Sequence, residues 1–557
     1  MITFFKQVMV FLFVPGVLLA QTTGDPGQLI YYERYAGAAT ELHHRLQADP
    51  AGMDNWYLLS EAYLGADRYD ALADTLQLAP EAVLSQPLME AVRGNLLLEK
   101  GDSSGAARLF EQALRETKRK DPRVLAAVAS AYVNTKAGDA NYALELLDKA
   151  IKKDKHNPVL FVLRGDAYRK LINGGEAYNA YEKALTEDPQ YAAALYKIGK
   201  IYTSQNNPDI YIPYFERAVK ADSMYAPALY ELYYYNYYKN LPLARKYLGK
   251  YIAASDHAIQ NDYLNTDMLY ASGNYQEAID AANALLQAEG QPLPPRLYKL
   301  KAYSYKELGD SMSAARNMNA YFKAQPDTAE MAKDYETMGD IYAGMDEKAD
   351  SAAYYYAMGA AQEKDTLVKA AFYKKISEIY KATKDYHQEA AWLGKYYAAN
   401  PSATNVDLFN WGLAHYLDND YLAADSVFGL YETKFPKEEY GYYWRARTDA
   451  AIDTAMETGL AVPHYQRLVK VLLPDTANAD SLSETAKNHV VEAYGYIAAY
   501  KANAEKDYSG AIDYFEKLLA LDPENTDAQR YVAILKKTMA RSGTSSAEDR
   551  NKSAQPR

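Results

Sequence analysis

The sequence predicts an all-α chain, an α-solenoid of about twelve antiparallel helix pairs, on three observations. The residues Gly165, Tyr168, Tyr181 and Ala184 recur 34 positions later as Gly199, Tyr202, Phe215 and Ala218. Within one copy, Phe161, Arg164, Gly165 and Tyr168 sit three and four apart, and Ala177, Tyr181 and Ala184 repeat that spacing after the turn Asn173-Gly174-Gly175. Each copy is therefore two amphipathic helices around a tight turn. Third, comparable anchors return along nearly the whole chain with no gap longer than a loop, so the 557 residues count repeats instead of independent cores.

The first twenty residues carry one Lys, an apolar stretch from Val8 to Leu19 interrupted by Pro15, and Ala20 before Gln21. This is the pattern of a signal peptide, 1–20, cleaved after Ala20. Export is expected, with no transmembrane segment once the signal is removed. The chain has no Cys, which excludes a lipoprotein anchor, disulfides, Cys-based zinc sites and thiol catalysis. Loss of Lys6, the signal's only charge, takes the formal charge from −12 to −13, so nucleic acid is not an expected partner.

Residues 21–54 read as an N-terminal helical cap, with one helix from Leu29 to Asp49 and His43-His44 exposed near its end. A first block, 55–291, opens on Trp56, Leu59, Ser60 and Tyr63, then Tyr69-Asp70-Ala71, and loses its rhythm near Pro80. Gly94, Leu97, Gly101, Ala106, Phe110 and Ala113 restore it, and Tyr132, Ala143, Leu147 and Ala150 continue it with a longer turn. Nine tyrosines fall between 225 and 251, and Gly273-Asn274-Tyr275 punctuates the next pair. Pro292-Leu293-Pro294-Pro295 cannot be helix interior and marks either a bend between blocks or a long loop in one solenoid. A second block, 292–439, follows through Ala302, Gly309, Ala314 and Pro326, then Gly339, Ser377, Gly412 and Phe428. Residues 440–541 hold the terminal repeats and a capping helix ending near Arg541. Residues 542–557, without periodicity, read as a disordered tail.

The residues Phe161, Arg164, Gly165, Tyr168, Ala177, Tyr181, Ala184 and Pro189 occupy positions 4, 7, 8, 11, 20, 24, 27 and 32 of a 34-residue unit. In this they resemble the tetratricopeptide repeat, with Arg164 as the departure. The resemblance implies a right-handed superhelix whose inner surface holds extended peptides. The segments YYWRARTDAAID and LAVPHYQRLVKVL are similar to terminal repeats of secreted tetratricopeptide proteins of Gram-negative bacteria, which implies a periplasmic location.

No nucleotide-binding loop, serine-hydrolase elbow or zinc-protease motif occurs, and the eight His are scattered without ligand spacing. No catalytic, metal or cofactor site is expected, so the chain reads as a non-enzymatic scaffold. Asp340 and Glu336 share one helix face and read as solvated charges.

At 100° per residue, positions 4, 7, 8 and 11 of each first helix form the packing side, and positions 2, 5, 9, 12 and 13 form a second stripe that lines the groove. The family's carboxylate clamp is not matched, since positions 5 and 9 read Val162 and Asp166, Tyr196 and Lys200, Tyr230 and Tyr234, Tyr263 and Asp267, then Lys299 and Tyr303. A row of tyrosines stands there instead. Tyr196, Tyr230 and Tyr263 at position 5, Tyr234 at position 9, and Tyr237 and Tyr270 at position 12 are the candidate ligand residues, either as a site or as packing. A site of this kind fits an extended peptide of a partner protein or a glycan stacking on aromatic faces, as in a peptidoglycan-binding protein. A third role is the non-catalytic arm of an enzyme complex.

Overall fold

The structure is a computed structural model and describes residues 24–288, 294–325, 331–474 and 482–553. The signal-peptide reading of 1–20, together with Pro292, Leu293 and Pro326, lies outside the described residues. All regular secondary structure among the described residues is α-helical. They fall into two compact units divided between Ala281 and Ala282.

The first unit begins with α1 (Pro26–Tyr31), α2 (Tyr35–Ala48), α3 (Met53–Gly65), α4 (Tyr69–Leu76) and α5 (Glu81–Leu84). Regular hairpins follow: α6 (Pro87–Glu99) with α7 (Ser103–Glu116), α8 (Pro122–Asn134) with α9 (Ala140–Lys153), and α10 (Pro158–Lys170) with α11 (Gly174–Glu187). Then come α12 (Ala192–Ser204) with α13 (Pro208–Ala221) and α14 (Ala226–Tyr237) with α15 (Leu241–Ala254). The unit ends with α16 (Ile259–Ala271) and the first half of α17 (Tyr275–Ala288).

The second unit pairs α18 (Pro295–Glu307) with α19 (Ser311–Ala324), α20 (Ala332–Ala343) with α21 (Ala349–Gln362), and α22 (Thr366–Thr383) with α23 (Tyr386–Ala399). It continues with α24 (Asn405–Leu417) and α25 (Tyr421–Lys434), then α26 (Glu439–Ile452) and α27 (Val462–Leu472), then α28 (Glu484–Asn503) and α29 (Tyr508–Leu521). The last helix, α30 (Thr526–Ser553), packs on α29. It runs on past Arg541, where the sequence reading ends it.

The hairpin has one recurring construction. The residue closing the turn adopts a positive φ, as at Gly101, Gly309, Lys384 and Asn419, and the next residue is an Asp that caps the second helix. The carboxylate of Asp102, for example, accepts the Gly105 amide at 2.8 Å and satisfies one otherwise orphaned donor. In the hairpins α6–α7, α10–α11, α12–α13, α20–α21 and α24–α25, a Gly of the first helix meets an aromatic of the second where the axes cross. A Cβ built on Gly94, Gly199, Gly339 or Gly412 would lie 2.5 to 2.7 Å from the ring of Phe110, Phe215, Tyr356 or Phe428 respectively. Apart from Tyr31 and Tyr32, which pack against the core of α10–α14, the cores run between neighbouring repeats, which is how a solenoid grows without a central core.

Ions stitch adjacent repeats. Lys197 donates to Asp166 at 3.0 Å, Lys200 to Glu231 at 2.6 Å, Lys306 to Asp340 at 3.1 Å and Lys374 to Asp407 at 3.1 Å. Glu336 and Asp340 both accept from Lys375, at 2.7 and 3.1 Å, so these two acids are structural links and not a solvated face. Burial works against the Asp340 carboxylate, but hydrogen bonds from Tyr356, Lys375 and Lys306 outweigh it and hold the group below its ordinary range.

The amino-terminal region departs from the single helix expected over Leu29–Asp49. The chain breaks at Tyr32–Arg34, with Glu33 at φ 60°, between α1 and α2. The Glu33 and Arg34 amides close the turn onto Ile30 and Leu29 carbonyls at 2.9 and 2.8 Å. The helix after the break is capped by a contact made far along the chain.

Candidate functional site

Arg34, the N-cap residue of α2, makes no side-chain cap of its own. The cap comes from Asp256, in the turn after α15. Its two carboxylate oxygens accept the Ala36 and Gly37 amides at 2.7 and 3.1 Å, and the Arg34 guanidinium lies 3.8 Å away. An anion at a helix N-terminus meets both the free amides and the positive end of the dipole. Buried Asn261 holds the Asp256 turn by donating to its carbonyl at 2.9 Å and to Ser255 Oγ at 3.0 Å.

Tyr31 completes the docking of this segment. Its hydroxyl accepts the Ala193 amide at 3.2 Å, at repeat position 2, and its ring lies 5.6 Å from Tyr191 and 5.3 Å from Tyr225. Burial pushes the Tyr31 and Tyr225 phenols up, the Tyr191 phenol to about 12, and the Glu33 carboxyl upward, partly offset by Lys197. Residues 31–37 thus lie across the starts of α12 and α14 and the turn before α16, on the face that carries positions 2 and 5.

The structure divides the predicted tyrosine row. Tyr196 on α12 is half-buried, with its ring 5.7 Å from both Phe215 and Tyr225. Tyr263 on α16 is only 8% exposed. Tyr196 packs because a position-5 ring meets the residue preceding the next first helix, here the aromatic Tyr225, and Tyr263 is buried as well. Tyr230 and Tyr234 on α14 are 38% and 57% exposed, and neighbouring Tyr238 is 77% exposed. Tyr230 rests on Tyr251 at 5.3 Å, and the Tyr234 ring meets that of Tyr238 edge-on at 6.2 Å. Tyr237 and Tyr270 are half-buried, the first 5.0 Å from Tyr238 and the second 5.5 Å from Tyr275. The open aromatic surface is therefore Tyr230 and Tyr234 on α14 with Tyr238 at its C-cap, beside the docked segment.

Position 9 carries a role that the stripe argument missed. Where position 24 is Tyr instead of Phe, position 9 is Asp and accepts its hydroxyl: Tyr181 to Asp166 and Tyr356 to Asp340, each at 2.7 Å. The paired exchange of Phe for Tyr and of another residue for Asp is visible in the sequence.

In class the chain is an α-solenoid of helix hairpins with an aromatic face in its first unit. The Tetratricopeptide repeat family matches residues 92–158 and 162–227, so the chain carries tetratricopeptide repeats there. No curated protein matches. Among solved structures, the C-terminal part of a TPR repeat-containing protein from Cytophaga hutchinsonii is 27% identical, covering 48% of this chain and 99% of that one at a TM-score of 0.30. A tetratricopeptide repeat protein from Parabacteroides merdae is 17% identical over 51% of this chain and 96% of its own, at a TM-score of 0.22. The APC/C hetero-tetramer Cut9-Hcn1 is 14% identical, with 92% and 89% covered, at a TM-score of 0.23.

Proposed function

We propose that this chain is an exported, non-enzymatic scaffold, placed in the periplasm of a Gram-negative bacterium, which holds a partner protein on the α12–α16 face of its first unit. The observation that carries this reading is that the face already takes polypeptide. Residues 31–37 of the same chain lie on it, with two amides bound by Asp256 and the Tyr31 hydroxyl bound to Ala193. Backbone capture of this kind is insensitive to side chains, and the adjoining Tyr230, Tyr234 and Tyr238 supply large amphipathic contact area. The absence of any helix long and apolar enough to cross a membrane among the described residues is compatible with this reading.

The exposure of Tyr234 and Tyr238 also supports a second reading, a glycan of the cell wall stacked on their faces. One comparison separates the two. The full chain and its Tyr230→Ala/Tyr234→Ala variant are isolated from the native envelope, and bound protein is measured against bound purified wall polysaccharide. A partner protein recovered in stoichiometric amount, and held about thirtyfold more weakly by a variant of unchanged melting, supports the scaffold. Equal retention by the variant overturns the assignment of the face, and binding to polysaccharide alone favours the glycan. Amino-terminal sequencing of the isolated protein tests export, with Gln21 as the expected first residue.

A further inference from the structure

In the second unit, α25, α26 and α27 bring five charged or titratable side chains to one point. Asp425 and Glu432 come from α25, Arg445 and Asp449 from α26, and His464 from α27. The imidazole stands between two carboxylates, with Nδ1 3.3 Å from Glu432 Oε1 and Nε2 3.3 Å from Asp449 Oδ2. The Glu432 and Asp449 side chains are at least nine-tenths buried. Neither Glu432 Oε1 nor His464 Nδ1 has a hydrogen-bond partner of good geometry.

A neutral imidazole carries one N–H, so it can donate to only one of these two carboxylates and turns a lone pair toward the other. Something positive belongs on the second nitrogen. The Nε2 side is the side with donors to spare: one ligand atom each from Asp425, Asp449 and His464 lie within 4.8 Å of one another. Four-coordinate zinc at 2.0–2.2 Å from N and O ligands sets neighbouring ligand atoms about 3.4 Å apart, close to the separation of Nε2 and Asp449 Oδ2. Arg445 Nε holds Asp425 Oδ1 at 2.6 Å, while Oδ2, 3.5 Å from the guanidinium, is the freer oxygen. On the other flank, Glu432 faces Nδ1. At 3.3 Å its negative charge favours the tautomer protonated at Nδ1, which leaves the Nε2 lone pair for a metal. Three carboxylates face Arg445 and, at 4.0 Å from Glu432, Arg467, which leaves the cluster one positive charge short.

We propose that Asp425, Asp449 and His464 bind a divalent transition-metal ion, of which zinc fits the N and O donor set, with Glu432 as the positioning residue behind His464. Asp425, more exposed than the other two, forms the edge by which the ion enters and where water fills the remaining position. Sequence spacing gave no hint of this set, because each ligand comes from a different helix.

The test uses the full chain stripped with a chelator and titrated with Zn²⁺ by calorimetry and thermal melting. One Zn²⁺ per chain and a raised melting temperature are expected, with both effects lost in His464→Gln. Glu432→Gln, which leaves all three ligands in place, is expected to weaken the affinity about 10- to 100-fold without abolishing it. Co²⁺ provides a second probe, since the visible bands of a four-coordinate ion are expected only when His464 is present. Should His464→Gln fail to fold, Asp425→Asn at the open edge makes the same comparison. Absence of stoichiometric zinc binding by the unaltered chain overturns the proposal, and so does binding that survives these substitutions unchanged.

Discussion

Substitution of Gly199 tests the construction of the hairpin directly. A Cβ at this position would lie 2.5 Å from Phe215 Cε1 and 2.8 Å from Cδ1, about 1 Å inside the ordinary carbon–carbon separation of roughly 3.5–4.0 Å. Phe215 is fully buried, so its ring has nowhere open to go. Overpacking of this kind costs about 1–3 kcal/mol. The gain from replacing a helical Gly by Ala returns about 0.5–1 kcal/mol. Gly199→Ala is therefore expected to destabilise by about 1–2 kcal/mol, and Gly199→Leu by about 3 kcal/mol. Gly249, within α15, supplies the control, because nothing lies within 4 Å of its built Cβ. Gly249→Ala should stabilise by about 0.5–1 kcal/mol. Urea and thermal denaturation followed by circular dichroism read both, and Phe215→Leu in the Gly199→Ala background should restore part of the loss. If the two Gly→Ala variants moved stability in the same direction, or Phe215→Leu gave no relief, the crossing described for α12 and α13 would be wrong.

Asp256→Ala removes the cap from α2 and is expected to cost about 1–2 kcal/mol, with faster hydrogen exchange at the Ala36 and Gly37 amides while those of α10 and α11 keep their protection. Glu61 titrates in the opposite sense to a paired acid. Burial raises its folded value from 4.5 to about 7, so the stability it allows is complete below 4.5 and is lost as pH rises toward 7. Glu61→Gln should then melt with the wild type near pH 4 and above it at pH 8, and an equal difference at both pH values would contradict this. Tyr263→Ala, at a buried ring, should cost more than about 2 kcal/mol, whereas Tyr234→Ala should leave melting nearly unchanged.

What the sequence made legible was everything that depends on near neighbours. The Gly at position 8 and the aromatic at position 24 belong to one hairpin, so Gly94, Gly165, Gly199, Gly339 and Gly412 announce the helix pairs and their crossings. The Asp and Asn caps are equally local. The inner face was harder to read, because a position-5 side chain answers to the next repeat. Tyr196 and Tyr230 occupy equivalent positions, yet one is half-buried against Phe215 and Tyr225 and the other, resting on Tyr251, is exposed. Lys200, which reads as a groove residue, donates to Glu231 in the following repeat instead. The cap of α2 left no local mark, since the carboxylate that supplies it lies far along the chain.

That separation has its own consequence for how the molecule comes into being. The Ala36 amide and the carboxylate that caps it are 220 residues apart, while the hairpins between them close over a few tens of residues. A chain made or exported from its amino terminus must therefore carry α2 with its first amides unsatisfied until the turn after α15 has emerged and the intervening repeats have stacked. Closing so long a loop is affordable only once that stack holds the two ends near each other. The contact thus cannot form before the turn after α15 is in place, and it depends on the stacking of the repeats between α3 and α15. A deletion or slipped hairpin anywhere in that span would be felt at residues 31–37, far from the lesion, as a docking that no longer meets its target.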